Sequence, residues 1–303
     1  MQPHTRYTFI DYATQIYLVL VAILVLLFGR DIQLWWAYVA GHAIIAGLLH
    51  LLVKTYRKHP QNRLVSMLRY LYPIILYTAF YRETGELNHL FIGGYIDEFL
   101  ITIEQKIFGL QPAVVLMQRF STPWISELLY ASYFSYYVMI VGVGIVLYIQ
   151  HKERCFHYIT VVSFIFYVCY LTYIIVPAIG GRAFWAPIAG LAQGNIPFYP
   201  LEFPQSIQNG IFYQLMGFIY HHFEAEGAAF PSSHTAIALA TLYFSWQYLP
   251  RIRYFHAVAV ILLLISTVYC RYHYMVDIYA GVATFAVLLV IAETLYSKLY
   301  RAK

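Results

Sequence analysis

Charge is the scarcest property of this sequence. Asp, Glu, Lys and Arg make up 11% of its 303 residues, against roughly 25% in a soluble domain. With 61% hydrophobic residues, the chain cannot cover a water-facing surface, so lipid is the solvent for much of it. Cysteine is also scarce. Cys155, Cys169 and Cys270 are scattered, which excludes a disulfide framework and any cysteine metal-ligand spacing; they read as small apolar fillers. No internal repeat and no low-complexity tract is present. The N-terminus lacks a basic region leading to a small-residue cleavage site, so the first apolar run reads as a retained span.

What the chain does contain is long apolar runs. Eight fall at about 14–29, 33–53, 64–82, 125–149, 157–177, 231–249, 254–271 and 275–297, each close to the length a transmembrane helix needs. Arg69 and Pro73 interrupt the third. With the N-terminus in the cytoplasm, the clusters Lys54–Arg57–Lys58–Arg63, Lys152–Arg154, Arg251–Arg253 and Lys298–Arg301–Lys303 all fall inside, as the positive-inside rule requires. Acids such as Glu83, Asp97, Glu202, Glu224 and Glu226 fall outside. The net charge of +5 is therefore a feature of the cytoplasmic face and calls for no nucleic-acid partner. The 31 tyrosines suit interfacial belts, where an apolar ring keeps a wet hydroxyl. The expected fold is an all-α integral membrane protein of about eight transmembrane helices.

Two outer connections are long. Within 83–124, EFLITIEQKIFGL sets apolar positions at helical spacing among charges and reads as an interfacial helix or a segment covering the bundle. Residues 178–230, which include GNIPFYPLEFPQS, read as an irregular cap with turn punctuation.

This topology brings three polar stretches to one outer side: VPAIGGRAF with Arg182, FPSSHTA at the start of the sixth span, and TVYCRYHYMVD between the seventh and eighth. Ionisable groups at a membrane edge mark a working site by default. Pro231 suits the first turn of a helix, and Ser232 or Ser233 can cap its free N–H groups. The helix N-terminus then offers an anion site beside His234. His273 and Asp277 are four residues apart and share a helical face; the carboxylate would fix the imidazole tautomer and sharpen its other nitrogen. Arg182 and Arg271 can grip a phosphate. One histidine can attack phosphorus while the other protonates the leaving oxygen.

At this point the chain resembles the type 2 phosphatidic acid phosphatase superfamily of membrane phosphoesterases. The family signatures are Lys, six residues, Arg-Pro; Pro-Ser-Gly-His; and Ser-Arg, five residues, His, three residues, Asp. The sequence carries PSSH at 231–234 and STVYCRYHYMVD at 266–277, followed by AG at 280–281. The resemblance covers about residues 64–303. It implies a six-helix catalytic domain over 61–303 preceded by an added transmembrane hairpin over 1–60. It also implies His273 as the nucleophile forming a phosphohistidine, Asp277 as its orienting partner and His234 as the acid. Arg182 with the Ser232–Ser233 turn would bind phosphate, and neither metal nor other cofactor is needed. The first motif departs from the pattern at Ile175 and Ala183, and the third has Thr267 in place of arginine. Arg271, one helical turn later, could compensate if the segment is helical.

The resemblance implies a lipid phosphoesterase working at the periplasmic, extracellular or lumenal face, with a lipid phosphate as substrate; a lipid phosphate phosphatase is the simpler reading because it needs no second binding site. PSSH with RYHYMVD is similar to a branch holding the inositol phosphorylceramide synthases of sphingolipid metabolism, which pass a phosphoinositol-type headgroup to a lipid acceptor hydroxyl. A lipid transporter is the reading from another class, but transport sites favour the bilayer midplane. His221, His222, Glu224 and Glu226 in HHFEAEG have the residue types of a zinc site, set against a solvated hinge. His42 and His50 share a face of the second span and read as a helix-packing contact.

Overall fold

In the computed structural model, residues 6–184 and 203–301 are described. Residues 185–202 of the expected outer cap, and Lys303 of the basic C-terminal cluster, lie outside them. The helices are Phe9–Phe28 (α1), Trp35–Lys58 (α2), Arg63–Leu87 (α3), Asp97–Phe108 (α4), Pro112–Arg119 (α5), Pro123–Gln150 (α6), Lys152–Ile175 (α7), Gln205–Gln208 (α8), Ile211–Phe223 (α9), Ser233–Tyr248 (α10), Arg253–Tyr269 (α11) and Met275–Arg301 (α12). Among the described residues there is no strand, only an isolated bridge between Ala178 and Ala228.

The eight apolar runs coincide with α1, α2, α3, α6, α7, α10, α11 and α12. Among the described residues six helices, namely α1, α2, α3, α6, α7 and α12, are long and apolar enough to cross a membrane. The other two, α10 and α11, have 16 and 17 residues. Large apolar side chains such as Val141, Ile145, Phe255, Val258, Val287 and Val290 are exposed on the outer faces, as a lipid-facing bundle requires. The centre is α7, 72% of whose apolar window is buried. It packs against α1, α3, α6, α10 and α12.

Arg69 does not break the third run. It is fully buried and gives both Nη atoms to the buried Asp11 of α1, at 2.7 and 2.5 Å. The Tyr72 hydroxyl adds a 2.9 Å bond to the same carboxylate. A buried charge is tolerable only when paired and hydrogen-bonded, and this pair fastens α1 to α3. Pro73 sits within α3, its missing donor accommodated without ending the helix.

Of the two long outer connections, the first takes the covering alternative and the second departs from expectation. The segment over 83–124 forms a bent pair, α4 and α5, that turns by 68° at Gly109, whose φ is +68°. Its acids Asp97 and Glu104 are fully buried, so it covers the bundle end by reaching into it. The expected irregular cap contains α9, thirteen residues long. IFYQLMGFIY has the apolar spacing for it, and Glu127 of α6 caps its start by accepting from Phe212 N–H at 3.1 Å and Tyr213 N–H at 3.3 Å.

Candidate active site

Three helix ends and two loops converge at one end of the bundle. At α10, Ser232 is the N-cap, and its Oγ accepts from Thr235 N–H at 3.2 Å. Pro231 therefore precedes the cap and is not in the first turn, because the serine hydroxyl takes the capping position. The PSSH turn is held from both sides. Tyr173 of α7 accepts from Ser233 N–H at 3.1 Å and donates to the Pro231 carbonyl at 3.0 Å. Ser232 N–H donates to the Asp277 carbonyl at 3.1 Å. The glycine at 281 has a packing cause: a Cβ there would lie 2.6 Å from the Ser232 carbonyl oxygen.

The two histidines meet. His234 Nδ1 lies 3.2 Å from His273 Nε2, and His273 Nδ1 lies 3.3 Å from Asp277 Oδ2. Asp277 Oδ2 also accepts from Tyr274 N–H at 2.8 Å. An ionised carboxylate only accepts, so it fixes the His273 proton on Nδ1 and leaves the Nε2 lone pair facing His234. His273 is 2% exposed. Burial pushes its pKa down to about 3, helped by the Arg182 charge and outweighing the Ala229 backbone contact that favours the proton. It is therefore a neutral imidazole at working pH.

Arg182 stands beside this pair in the loop after α7. Its guanidinium lies 5.3 Å from the Tyr220 ring centroid and 6.0 Å from that of Tyr272. Glu224 holds it two-fold: Nη1 donates to Oε2 at 2.6 Å, and Nη2 donates to Oε1. Its buried Nε–H has no partner among the described residues.

Arg271 goes elsewhere. Helix α11 ends at Tyr269, and Arg271 is left-handed at φ 66°, so the helical offset from Thr267 does not apply. Its guanidinium lies 3.8 Å from the Phe203 ring centroid, beside Tyr130 and Tyr213. Thr267 instead accepts, through its carbonyl, from the Tyr272 and His273 N–H groups at 3.1 Å each.

The HHFEAEG residues do not gather either. His222 Nδ1 bonds the Phe218 carbonyl at 2.8 Å, Glu224 takes Arg182, and among the described residues no three metal-ligating side chains cluster. His42 sits 3.5 Å from Glu83 and His50 bonds Tyr7 at 3.0 Å, so the two histidines do not share a contact.

Sequence reasoning missed four groups. Asp97 accepts from Ile179 N–H and Gly180 N–H at 2.9 Å each and from the Tyr274 hydroxyl at 2.7 Å. It thereby joins the Arg182 loop to the His273 loop. The two loops touch so closely that a Cβ on Gly180, φ +85°, would lie 2.2 Å from the Tyr272 carbonyl oxygen. Glu104 accepts from Met275 N–H at 2.6 Å and caps α12. Tyr133 of α6 places its hydroxyl 3.1 Å from His234 Nε2 and meets the hydroxyl of Tyr220 on α9. The seven-residue spacing of Asp97 and Glu104 on one face of α4 was the available signal; the tyrosines had none among 31.

A cavity of about 450 Å³ leads to His234 and Ser233 between α3, α6, α7 and α9. Its lining is aromatic and aliphatic, including Tyr81, Tyr136, Phe166 and Tyr170, with Glu224 also on its wall. Ile74 of α3 and Val141 of α6 line it and are 42% and 56% exposed on the outside of the bundle. The cavity thus opens sideways between two spans.

Fold and site together define a multi-pass membrane protein built around a buried imidazole pair. A family model of the PAP2 superfamily matches residues 98–291, more than half of the chain, and the chain belongs to that superfamily. Its members are phosphatases and phosphotransferases acting on lipid phosphates, which makes this chain a phosphatase-type membrane phosphoesterase. No curated protein and no solved structure matches it.

Proposed function

We propose that the chain is a lipid phosphate phosphatase working through a phosphohistidine on the non-cytoplasmic side of its membrane. The observation that carries this reading is the Asp277–His273–His234 chain at the inner end of a sideways-opening apolar cleft. Hydrocarbon would occupy the cleft while the phosphate sits between the imidazoles and Arg182.

In the scheme, His273 Nε2 attacks phosphorus and Asp277 stabilises the cation that forms. His234 gives its Nδ1 proton to the leaving oxygen. The phosphoryl oxygens displace Glu224 from Arg182, and the positive end of the α10 dipole at the Ser232–Ser233 turn favours their charge. Positioned donors of this kind contribute several kcal/mol to barrier reduction, about 3–4 for a single oxyanion donor. Water then cleaves the phosphohistidine with His234 as base. Arg271, whose guanidinium is held over Phe203, would add a second guanidinium to the phosphate on turning towards it. The scheme uses no metal, and its residues all lie within the proposed 61–303 catalytic domain; residues 1–60 add the α1–α2 hairpin. The acidic outer connections and basic inner ones support the non-cytoplasmic assignment.

The test is purified protein with a panel of lipid phosphates, with and without inositol phospholipid and ceramide. Free phosphate release, abolished in His273→Ala and His234→Ala proteins that remain folded, is expected. Formation of a new phosphodiester without free phosphate would replace hydrolysis by headgroup transfer of the inositol phosphorylceramide synthase type. Wild-type rates from His273→Ala would overturn both.

A further inference from the structure

The acid in this scheme has a proton-supply problem. His273 Nε2 carries a lone pair, because Asp277 fixes its proton on Nδ1. The nitrogen facing it, His234 Nδ1, must then be the one bearing hydrogen. A neutral imidazole has one N–H, so His234 Nε2 is an acceptor. The group on Nε2 is the Tyr133 hydroxyl at 3.1 Å, which must donate. Tyr133 is fully buried, so its oxygen takes its own hydrogen bond from Tyr220. One assignment propagates along Asp277, His273, His234, Tyr133 and Tyr220 with every donor meeting one acceptor.

We propose that Tyr133 and Tyr220 are positioning residues that hold His234 in its Nδ1–H tautomer and exchange protons with its Nε2 during each turnover. This rests on the phosphohistidine reading above. When the phosphorus–oxygen bond breaks, its electron pair goes to the leaving oxygen, which takes the Nδ1 proton. Nε2 takes the Tyr133 proton, and Tyr133 takes the Tyr220 proton. His234 thus passes from one neutral tautomer to the other without becoming an imidazolate. The negative charge rests on the Tyr220 oxygen, with the Arg182 guanidinium 5.3 Å from that ring. When water attacks the phosphohistidine, its proton goes to His234 Nδ1, the Nε2 proton returns to Tyr133, and Tyr133 reprotonates Tyr220. The cycle closes with no outside proton. The rings are arranged for this: Tyr133 packs 5.0 Å from His234 and 4.7 Å from Tyr272, and Tyr220 stacks on Tyr272 at 3.8 Å.

The test uses two substrates that differ in their need for an acid. Dodecyl phosphate leaves as an alkoxide that must be protonated; p-nitrophenyl phosphate leaves as a stable phenolate. General acid catalysis is worth about 10²–10⁴-fold. Tyr133→Phe should therefore lower the dodecyl-to-p-nitrophenyl ratio of kcat at least tenfold, and Tyr220→Phe should move it the same way. An equal fall for both substrates is what a merely structural tyrosine gives, and it would overturn the relay. A readout without turnover is the ¹⁵N spectrum of His234: Nε2 is expected as the unprotonated nitrogen in the wild type and shifts towards protonated in Tyr133→Phe. A protonated Nε2 in the wild type would overturn the assignment even if Tyr133→Phe fails to fold. His273→Ala, which should abolish both substrates, separates the two readings: if it does so while the ratio stays fixed, the relay alone falls.

Discussion

Tyr274 and Asp97 meet through a 2.7 Å hydrogen bond between residues 177 positions apart. The same carboxylate holds the backbone of Ile179 and Gly180, so one side chain on α4 sets the Arg182 loop against the residue next to His273. Three donors point at Asp97. Asparagine supplies only one acceptor oxygen and turns an NH₂ towards them. Asp97→Asn should lower the melting temperature, since a buried unsatisfied group costs about 1–3 kcal/mol. It should also cut kcat at least tenfold through lost alignment. Full activity in this variant, measured on folded protein, would show that the loops hold their spacing without it.

Glu224 engages Arg182 with the two-fold geometry a phosphate would use. In the proposed scheme substrate competes with it. Glu224→Gln should lower KM for a lipid phosphate by about threefold, the scale of a partly exposed ion pair. A raised KM would mean instead that Glu224 presents Arg182 to the substrate.

Protonation of His273 in the folded state waits until about pH 3, whereas an unfolded histidine takes its proton near 6.5. As pH falls from 6.5 towards 3 the unfolded chain binds a proton that the folded one refuses, so stability drops in that window. The wild type should lose thermal stability relative to His273→Gln between pH 7 and pH 5. Parallel melting curves for the two proteins would contradict the burial of a neutral imidazole.

At Gly281 a Cβ would press within 2.6 Å of the Ser232 carbonyl and 2.8 Å of Thr235. Gly281→Ala should push α12 away from α10, separate the imidazoles, and lower both melting temperature and turnover. Gly47→Ala, where nothing lies within 4 Å of the new atom, should be neutral or stabilising by up to about 1 kcal/mol. Similar effects at the two sites would deny that helix contact its role.

Breaking the Arg69–Asp11 pair with Arg69→Met leaves a buried carboxylate without its counter-charge, a loss of about 3–5 kcal/mol. Adding Asp11→Asn should recover part of it, read as melting temperature.

The bundle was legible because apolar runs of membrane length leave few alternatives. The imidazole pair was legible because PSSH and RYHYMVD set it within short stretches at two helix starts. Asp97, Tyr133 and Tyr220 were not, since each works through a partner far away in sequence and resembles its neighbours in composition. The helical offset from Thr267 to Arg271 does not hold, because α11 ends at Tyr269 and the chain turns left-handed at Arg271. Glu224 read with its sequence neighbours as a solvated hinge set against a zinc site, while its partner lies 42 positions earlier.

The sideways mouth between α3 and α6 has a kinetic consequence. A lipid can reach His234 by diffusing in the plane of its own leaflet, without lifting its chain into water. Encounter then becomes two-dimensional: turnover follows the mole fraction of substrate among surrounding lipids, and diluting the membrane with inert lipid slows the enzyme at constant bulk concentration.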